Sequence, residues 1–253
     1  MTDLIIVTHN SEGDLRELPS VTLEAFARVI VVDSGSTDAS REVARGLGAE
    51  VIARPNDGFG VAANAGAQLA QGEIFALMNP DIRFRSLSVE ASMAQLFASE
   101  PDIGLAAPAL ELPDGHIQDS ARTVPTPVNV FRRRWSDRRS GALSPRERAD
   151  VPWVVGACVF IRRRAFTEVD GFDPAFFLYF EDVDLCVRLR RAGWRVVLDP
   201  ANVALHEHRG ESRRSLTGWA TRRHIESSLR FWRKHPACAA GLDARVNRAK
   251  RRP

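Results

Sequence analysis

An α/β fold with a mostly parallel sheet and helices on both faces is what this sequence predicts, on three observations. Short apolar runs rich in valine and isoleucine recur through the first eighty residues. Helix-length segments with capping and stop residues separate them. At 253 residues, 44% hydrophobic and 26% charged, the chain has a globular composition with room for one large domain or two small ones.

The elements follow in order. Leu4–Thr8, Val29–Asp33, Val51–Arg54 and Ile74–Met78 read as strands, because continuous apolar runs of this length suit a sheet buried on both faces. Thr37 or Asp38 can N-cap a helix running to Leu47, with Gly48 as its stop. Phe59–Leu69 is an alanine-rich helix ended near Gly72. Strand and helix in alternation imply parallel pairing with right-handed crossovers, so residues 1–81 form a Rossmann-like nucleotide-binding half. After Asp81 the rhythm changes to a mixed half, 82–212. Leu87–Ser99 reads as a helix, Gly104–Ala109 as a strand, and Leu112–Ile117 as a hairpin about Pro-Asp-Gly. Residues 122–150 have no period and are expected to form a long mobile loop. A strand Trp153–Ile161, a short helix Arg163–Val169, a turn at Gly171 and an amphipathic helix Glu181–Ala192 come next. Strands at Arg195–Leu198 and Val203–Leu205 lead to the C-terminal segment, 213–253, a helix Ser215–Lys234 followed by a basic tail.

Charge is unevenly placed. The net charge is only +3, yet Arg132–Arg148 holds seven arginines against two acids, and Trp219–Pro253 ten Lys/Arg against two acids. Solvated faces, anionic lipid or a phosphorylated substrate each fit that pattern. No nucleic-acid motif accompanies it, so nucleic acid is not an expected partner. Trp219, Ile225, Leu229 and Trp232 fall at near-helical spacing among arginines. This stripe is expected to dock on the main domain, the rival being a helix lying on a leaflet. No apolar run approaches the roughly 20 residues of a membrane helix. Cys158, Cys186 and Cys238 have no CxxC partner, and the first strand begins almost at Met1, so the cytoplasm is the expected compartment.

The chemistry-bearing segments sit where strands end. Asp33, in VVDSGSTDAS, stands at a strand's carboxyl edge, where a ligand crevice opens; an N-cap and turn cluster is the structural alternative. GFGVAA at Gly58–Ala63 matches a relaxed dinucleotide pattern, but it follows the third strand, and the first turn, THNSEGD, lacks the fingerprint. A nicotinamide or flavin enzyme is therefore disfavoured. Asp81, in LMNPD, follows the fourth strand and is an oxygen ligand suited to Mg2+ or Mn2+ against a diphosphate. Glu181, Asp182 and Asp184 open a helix behind Phe176, Phe177, Tyr179 and Phe180; apolar walls raise a carboxylate's basicity, as a general base needs, whereas Asp184 and Arg188 are spaced to pair. His206 and His208 emerge from a late strand.

Taken together, from Leu4 to Ser212, these segments resemble glycosyltransferase family 2, and most closely its rhamnosyltransferase-like branch. The resemblance rests on IVTHNS, VVDSGSTDAS, NDGFGVAANAG, LMNPD, VGACVFIRRRAF, GFDPAFFLYFEDVDLCVRLRRAG and the His206 region. It implies a GT-A fold and transfer of a sugar from a nucleoside diphosphate to an acceptor hydroxyl, with inversion, in bacterial polysaccharide or glycolipid assembly. By the same resemblance Asp33 binds the donor base, and Thr8, Asn10, Ser34, Gly35, Asn56, Gly58, Phe59, Asn64 and Asn79 line the donor site. Asp81 and His206 are the implied contacts of Mg2+ or Mn2+. Asp182 is the implied base, with Glu181 as runner-up, and Trp153, Gly156 and Tyr179 lie on the acceptor side. A polyprenyl-linked or saccharide acceptor implies work at the inner face of the plasma membrane. One departure is visible: the family's DxD appears as Asn79-Pro80-Asp81. The rivals are a nucleotidyltransferase, whose glycine-rich basic first loop is missing, and a non-catalytic binding protein, which would be expected to lose the Asp182 cluster.

Overall fold

A computed structural model describes residues 2–135, 141–207, 218–243 and 246. The chain opens with β1 (Asp3–Thr8), α1 (Glu12–Arg16), α2 (Ser20–Glu24), β2 (Arg28–Ser34), α3 (Ser40–Gly46), β3 (Glu50–Arg54), α4 (Phe59–Leu69) and β4 (Ile74–Met78). Then come β5 (Ile82–Arg83), α5 (Ser88–Ser99), β6 (Ile103–Glu111), β7 (Ala121–Arg122), α6 (Pro127–Trp135), β8 (Ala142–Leu143), β9 (Ala149–Asp150) and β10 (Trp153–Val154). The rest is β11 (Cys158–Arg162), α7 (Arg163–Glu168), α8 (Glu181–Arg191), β12 (Arg195–His206), α9 (Trp219–Lys234) and α10 (Pro236–Ala239).

The large sheet runs β3-β2-β1-β4-β11-β6-β12-β5, with β9 added to β12. β3, β2, β1 and β4 are parallel, β11 is antiparallel to both its neighbours, and β6 pairs β12 in parallel. Alternate side chains of one strand enter opposite cores, as the two-residue period of a strand requires. Ile5 and Val7 join the layer holding α4, α7 and α8, while Leu4 and Ile6 join the layer under α1, α3 and α5. Both faces are thus covered, which is why these strands read as unbroken apolar runs rather than alternating ones. Gly66 lets α4 approach the sheet closely: a Cβ there would lie 2.5 Å from Ile5 Cγ2.

Several expectations need correction. Residues 122–150 are not a structureless loop, because α6, β8 and β9 fall within them. The expected strand Trp153–Ile161 is two strands in two sheets, β10 in a small sheet with β7 and β8, and β11 in the large one. The chain breaks between them at Val155–Ala157, where its peptide groups turn to the site instead of a ladder. The two expected late strands are one, β12, with a register shift between Asp199 and Val203. The C-terminal helix does dock, but by a different face. Ser227, Ser228 and Phe231 are buried, whereas Trp219, Ile225 and Leu229 are more than half exposed. Of the expected stripe only Trp232 turns inward, its Nε1–H donating to the Pro125 carbonyl at 2.8 Å. Ser227 Oγ reaches the Leu178 carbonyl at 2.8 Å, and Phe231 packs between Phe180 and His235, which fixes the helix rotation. Residues Ser215–Thr217, His208 and the tail beyond Val246 lie outside the described residues. Cys158, Cys186 and Cys238 are free and buried, and burial pushes the Cys158 thiol up, Cys186 to about 12 and Cys238 to about 11. Among the described residues no helix is long and apolar enough to cross a membrane.

Candidate active site

Strands β1, β2, β3 and β4 all end on one edge, and the turns after them assemble the donor side. Asp33, at the end of β2, is fully buried. One oxygen accepts from the Thr8 hydroxyl at 3.4 Å and the other from Ser36 N–H at 3.1 Å, with Arg41 Nε 3.8 Å away. A carboxylate has about four lone-pair sites, so capacity remains for one more donor. Asn10, in the left-handed region at φ 51°, ties the turn after β1 to the turn after β2 by accepting from Thr37 N–H at 2.8 Å. Ser34 Oγ is buried and meets no hydrogen-bond partner among the described residues. Gly35 lies against Asn56, whose backbone nitrogen would be 3.4 Å from an added Cβ. Asn56 itself is exposed.

The glycine-rich turn before α4 meets protein rather than open space. Gly58 adopts φ 120°, and a Cβ there would sit 2.9 Å from the Phe177 carbonyl oxygen, an approach only glycine permits. Phe59 N–H then donates to that same carbonyl at 2.9 Å. Asn64 has a different task from the expected donor contact: its amide donates to Phe172 O and accepts from Phe172 N–H, both at 2.8 Å. Both ends of the amide are engaged, and the turn at Gly171 is pinned to α4.

The turn after β4 carries Asp81. Arg83 is buried and holds this turn from behind, donating to the carbonyls of Pro80 at 2.6 Å, Ile82 at 3.0 Å and Asp14 at 2.8 Å. β5 pairs with the end of β12, Ile82 opposite His206, and Glu207 N–H donates to Asp81 O at 2.9 Å. That register sets His206 Nε2 3.3 Å from Asp81 Oδ2. His206 Nδ1 lies 2.7 Å from Gln118 Oε1, which fixes the orientation of the ring. Nε2, at the other side of the ring, faces the Asp81 carboxylate, and an imidazole beside a carboxylate is a juxtaposition that suits a cation. An imidazole and one carboxylate fit Mg2+ or Mn2+ whose other ligands are water and diphosphate. Among the described residues no cluster of three or more such groups exists.

The acids open α8. Tyr179 and Phe180 both take left-handed conformations, φ 68° and 66°, and this double turn starts the helix directly at Glu181. Asp182 Oδ2 accepts from Gly156 N–H at 3.1 Å, and Oδ1 from its neighbour Val183 N–H at 2.8 Å. One residue on, Ala157 O accepts from Asn79 N–H at 2.8 Å. The 155–157 break therefore joins the Asp81 turn to Asp182 through the backbone of two consecutive residues, Gly156 and Ala157. Burial raises the Asp182 carboxyl although these backbone bonds oppose it. Glu181 is pushed up by burial first and then by the charge of Asp182, and its Oε2 meets no donor among the described residues. A carboxyl of raised basicity is suited to take a proton from a substrate. Of the expected acceptor-side residues, Gly156 touches Asp182 directly and Tyr179 leads into the helix. Trp153 is instead a buried tie, its Nε1–H donating to Thr123 O at 2.8 Å.

The parallel half-sheet, the acids at its edge and the acids opening α8 are the arrangement expected of a group-transferring enzyme. Consistent with that, residues 3–170 match the family described as Glycosyl transferase family 2. The chain belongs to this family and is a glycosyltransferase. It is 34% identical over 243 residues to the N-acetylglucosaminyl-diphospho-decaprenol L-rhamnosyltransferase of Mycobacterium tuberculosis (strain ATCC 25618 / H37Rv), covering 84% of this chain and 78% of that one. Among solved structures it is similar to GalNAc-T7 with UDP, GalNAc and Mn2+, at TM-score 0.67 and 16% identity, over 95% of this chain and 51% of the other. It is also similar to glucosyl-3-phosphoglycerate synthase from Mycobacterium tuberculosis with Mn2+, UDP-glucose and phosphoglyceric acid, at TM-score 0.60 and 15% identity, over 91% and 79% of the two chains. These structures share the GT-A fold.

Sequence reasoning missed Arg83, Gln118, Lys234 and His235. Arg83 had a signal, an arginine two residues past an acid that ends a strand. Gln118 had none, because only the hairpin after β6 brings it to His206.

Proposed function

We propose that the protein is an inverting transferase moving a sugar, rhamnose by likeness to the mycobacterial relative, from a nucleoside diphosphate to a hydroxyl of a polyprenyl-linked saccharide. The observation that carries this reading is the continuous link from the Asp81 turn through Ala157 and Gly156 to Asp182. It couples the group facing the diphosphate to the group facing the acceptor across one short segment. The donor base would use the remaining capacity of Asp33, with Thr8, Asn10, Ser34 and Gly35 around it, and Asn79 would border the diphosphate. Asp81 and His206 would hold Mg2+ or Mn2+, which supplies positive charge for the departing diphosphate. Asp182 takes the acceptor proton as the hydroxyl attacks the anomeric carbon in line, so no covalent enzyme intermediate is formed. Residues 1–212 act as the catalytic unit, and within the C-terminal segment, 213–253, helix α9 docks on it.

Contact with a membrane surface is part of the reading. Val128 and Phe131 on α6, and Ile225 and Leu229 on α9, are 64%, 60%, 53% and 59% exposed. Exposed Arg230 and Arg233 accompany them on α9. Apolar side chains among cations are the chemistry of an anionic leaflet. Sedimentation with anionic vesicles at low salt tests this part, and protein left wholly in the supernatant contradicts it. The reading as a whole is tested by incubation with nucleotide sugars, an acceptor and Mn2+. Release of nucleoside diphosphate only when acceptor is present supports it, and release of diphosphate from a triphosphate points to the nucleotidyltransferase instead.

A further inference from the structure

Beside the catalytic carboxyls stands a cluster that the donor reaction does not use. Trp219 begins α9 and packs its ring edge-on to Phe177, centroids 5.9 Å apart and planes at 86°. Arg223, one turn later, lays its guanidinium over both rings, Cζ 4.6 Å from the Phe177 centroid and 5.6 Å from that of Trp219. His224 contacts Tyr179 at 5.5 Å and Phe180 at 5.2 Å, the two residues that lead into Glu181 and Asp182. Phe177 is in turn the residue whose backbone pins Gly58 and Phe59. The cluster therefore sits at the hinge between the donor-side turn and the base.

Its exposure argues that it is more than packing. Trp219 keeps 55% of its surface open, although the same helix buries Ser227, Ser228 and Phe231. Arg223 gives one amine to Glu226 at 3.1 Å, and its side chain remains 36% exposed. A guanidinium has five N–H donors in a planar fork, and stacking on two aromatic faces holds that fork in one orientation. An open indole face receives the apolar face of a sugar ring, and a fixed arginine fork receives phosphate oxygens.

Resting on the glycosyltransferase reading above, we infer that Trp219, Arg223 and His224 at the start of α9, with Phe177 and Tyr179, form the subsite for a glycosyl phosphate, the headgroup of the acceptor. The saccharide stacks on Trp219 with its hydroxyl toward Asp182, and the phosphate lies on Arg223. The lipid of a membrane-borne acceptor then leaves along α9, past Ile225 and Leu229. The helix that docks the C-terminal segment is thus also the acceptor-reading helix.

The test measures binding apart from turnover. Calorimetry in the presence of a nucleoside diphosphate follows a short-chain GlcNAc-diphospho-lipid and GlcNAc 1-phosphate as probes. Trp219→Ala and Arg223→Gln should each weaken probe binding at least tenfold, with nucleoside diphosphate affinity within twofold of the unaltered protein. Trp219→Phe, which keeps a ring, should lose less than Trp219→Ala. Loss with both probes supports recognition of the glycosyl phosphate itself, and loss with a lipid probe that alone binds supports the lipid-linked source. Failure of the unaltered protein to bind either probe, or equal binding by the variants, overturns the subsite. Failure to release nucleoside diphosphate from any nucleotide sugar is a separate result, and it counts against the glycosyltransferase reading instead.

Discussion

Asp33 at the donor edge and Glu181 at the start of α8 are both buried carboxylates, but they are differently accompanied. Asp33 has the Thr8 hydroxyl, Ser36 N–H and nearby Arg41. Glu181 has the like charge of Asp182 and an oxygen that meets no donor among the described residues. The contrast sharpens within one turn of α8. Burial raises Asp182, yet Asp184, two residues on and fully buried, is held down at about 2, because His235, Arg188 and Lys234 outweigh its own burial. Local sequence gives Asp184 only Arg188; its other partners, His235 and Lys234, come from the end of α9. Asp182 faces the peptide of Gly156, while Asp184 faces the end of α9. In the proposed reading the donor edge is thus built in advance, whereas the acids opening α8 are left basic, as acceptance of a proton requires.

Removing the carboxylate of Asp81 should give a large effect. Asp81→Ala is expected to lower turnover at saturating Mn2+ by about a hundredfold or more and to flatten the metal titration, since charge aimed at a leaving group is worth that much. His206→Ala should shift the metal midpoint by about ten- to a hundredfold, in the range for a weakened metal contact. Steady-state rates against metal concentration check both, and an unchanged titration in both variants removes the metal from the account.

Asp184→Asn should cost stability rather than chemistry. Breaking a buried, hydrogen-bonded ion pair costs about 3–5 kcal/mol, here discounted to about 2–3 because Lys234 is partly solvated. Because its carboxyl is depressed from 3.8 to about 2, Asp184 contributes stability above the ordinary value that is lost as the pH falls toward 2. Thermal melts from pH 5 to pH 2 should therefore fall more steeply in the unaltered protein than in the variant. Parallel curves would show that Asp184 is not what ties α9 to α8. A smaller loss, about 1–3 kcal/mol, is expected for Gly58→Ala, whose φ of 120° and approach to Phe177 suit glycine alone. Urea melts measure it, and an unaffected midpoint would mean that the turn before α4 is not pinned.

The smallest effect has the opposite sign. Glu181 is raised from 4.5 to about 8, so the fold prefers its protonated form; that stability is complete below about 4.5 and lost as the pH rises through 8. Glu181→Gln, neutral at every pH, should raise the melting temperature by a few degrees at pH 8.5 and by little at pH 5. A variant less stable at pH 8.5 would mean that the carboxylate is charged and partnered.

Much of this was legible in the chain. The strands β1 to β4 announced themselves because a sheet covered on both faces needs unbroken apolar runs, and Asp33 and Asp81 stood at their ends. The acids of α8 were legible from their place behind four aromatics. Other parts were not. Val155–Ala157 looked like strand interior because its side chains are apolar, although its backbone turns away from the ladder to serve Asp182 and Asn79. The docked face of α9 was misread because Ser227 and His235 dock it through hydrogen bonds, with Phe231 between them in ring contact with Phe180, which hydrophobic spacing does not reveal. Asn64 looked like a ligand contact because only the fold brings Phe172 to its amide.

The central claim is that Asp182 accepts the acceptor proton while the donor side stands independently of it. Nucleoside diphosphate release from whichever nucleotide sugar the unaltered protein turns over, with a polyprenyl-linked saccharide acceptor and Mn2+, should be compared for the unaltered protein and Asp182→Asn, alongside calorimetric binding of the corresponding nucleoside diphosphate. The account predicts that release falls at least about a hundredfold while nucleoside diphosphate affinity stays within twofold. Near-normal release by Asp182→Asn, with release abolished in Glu181→Gln, would contradict it and move the base one residue back along α8.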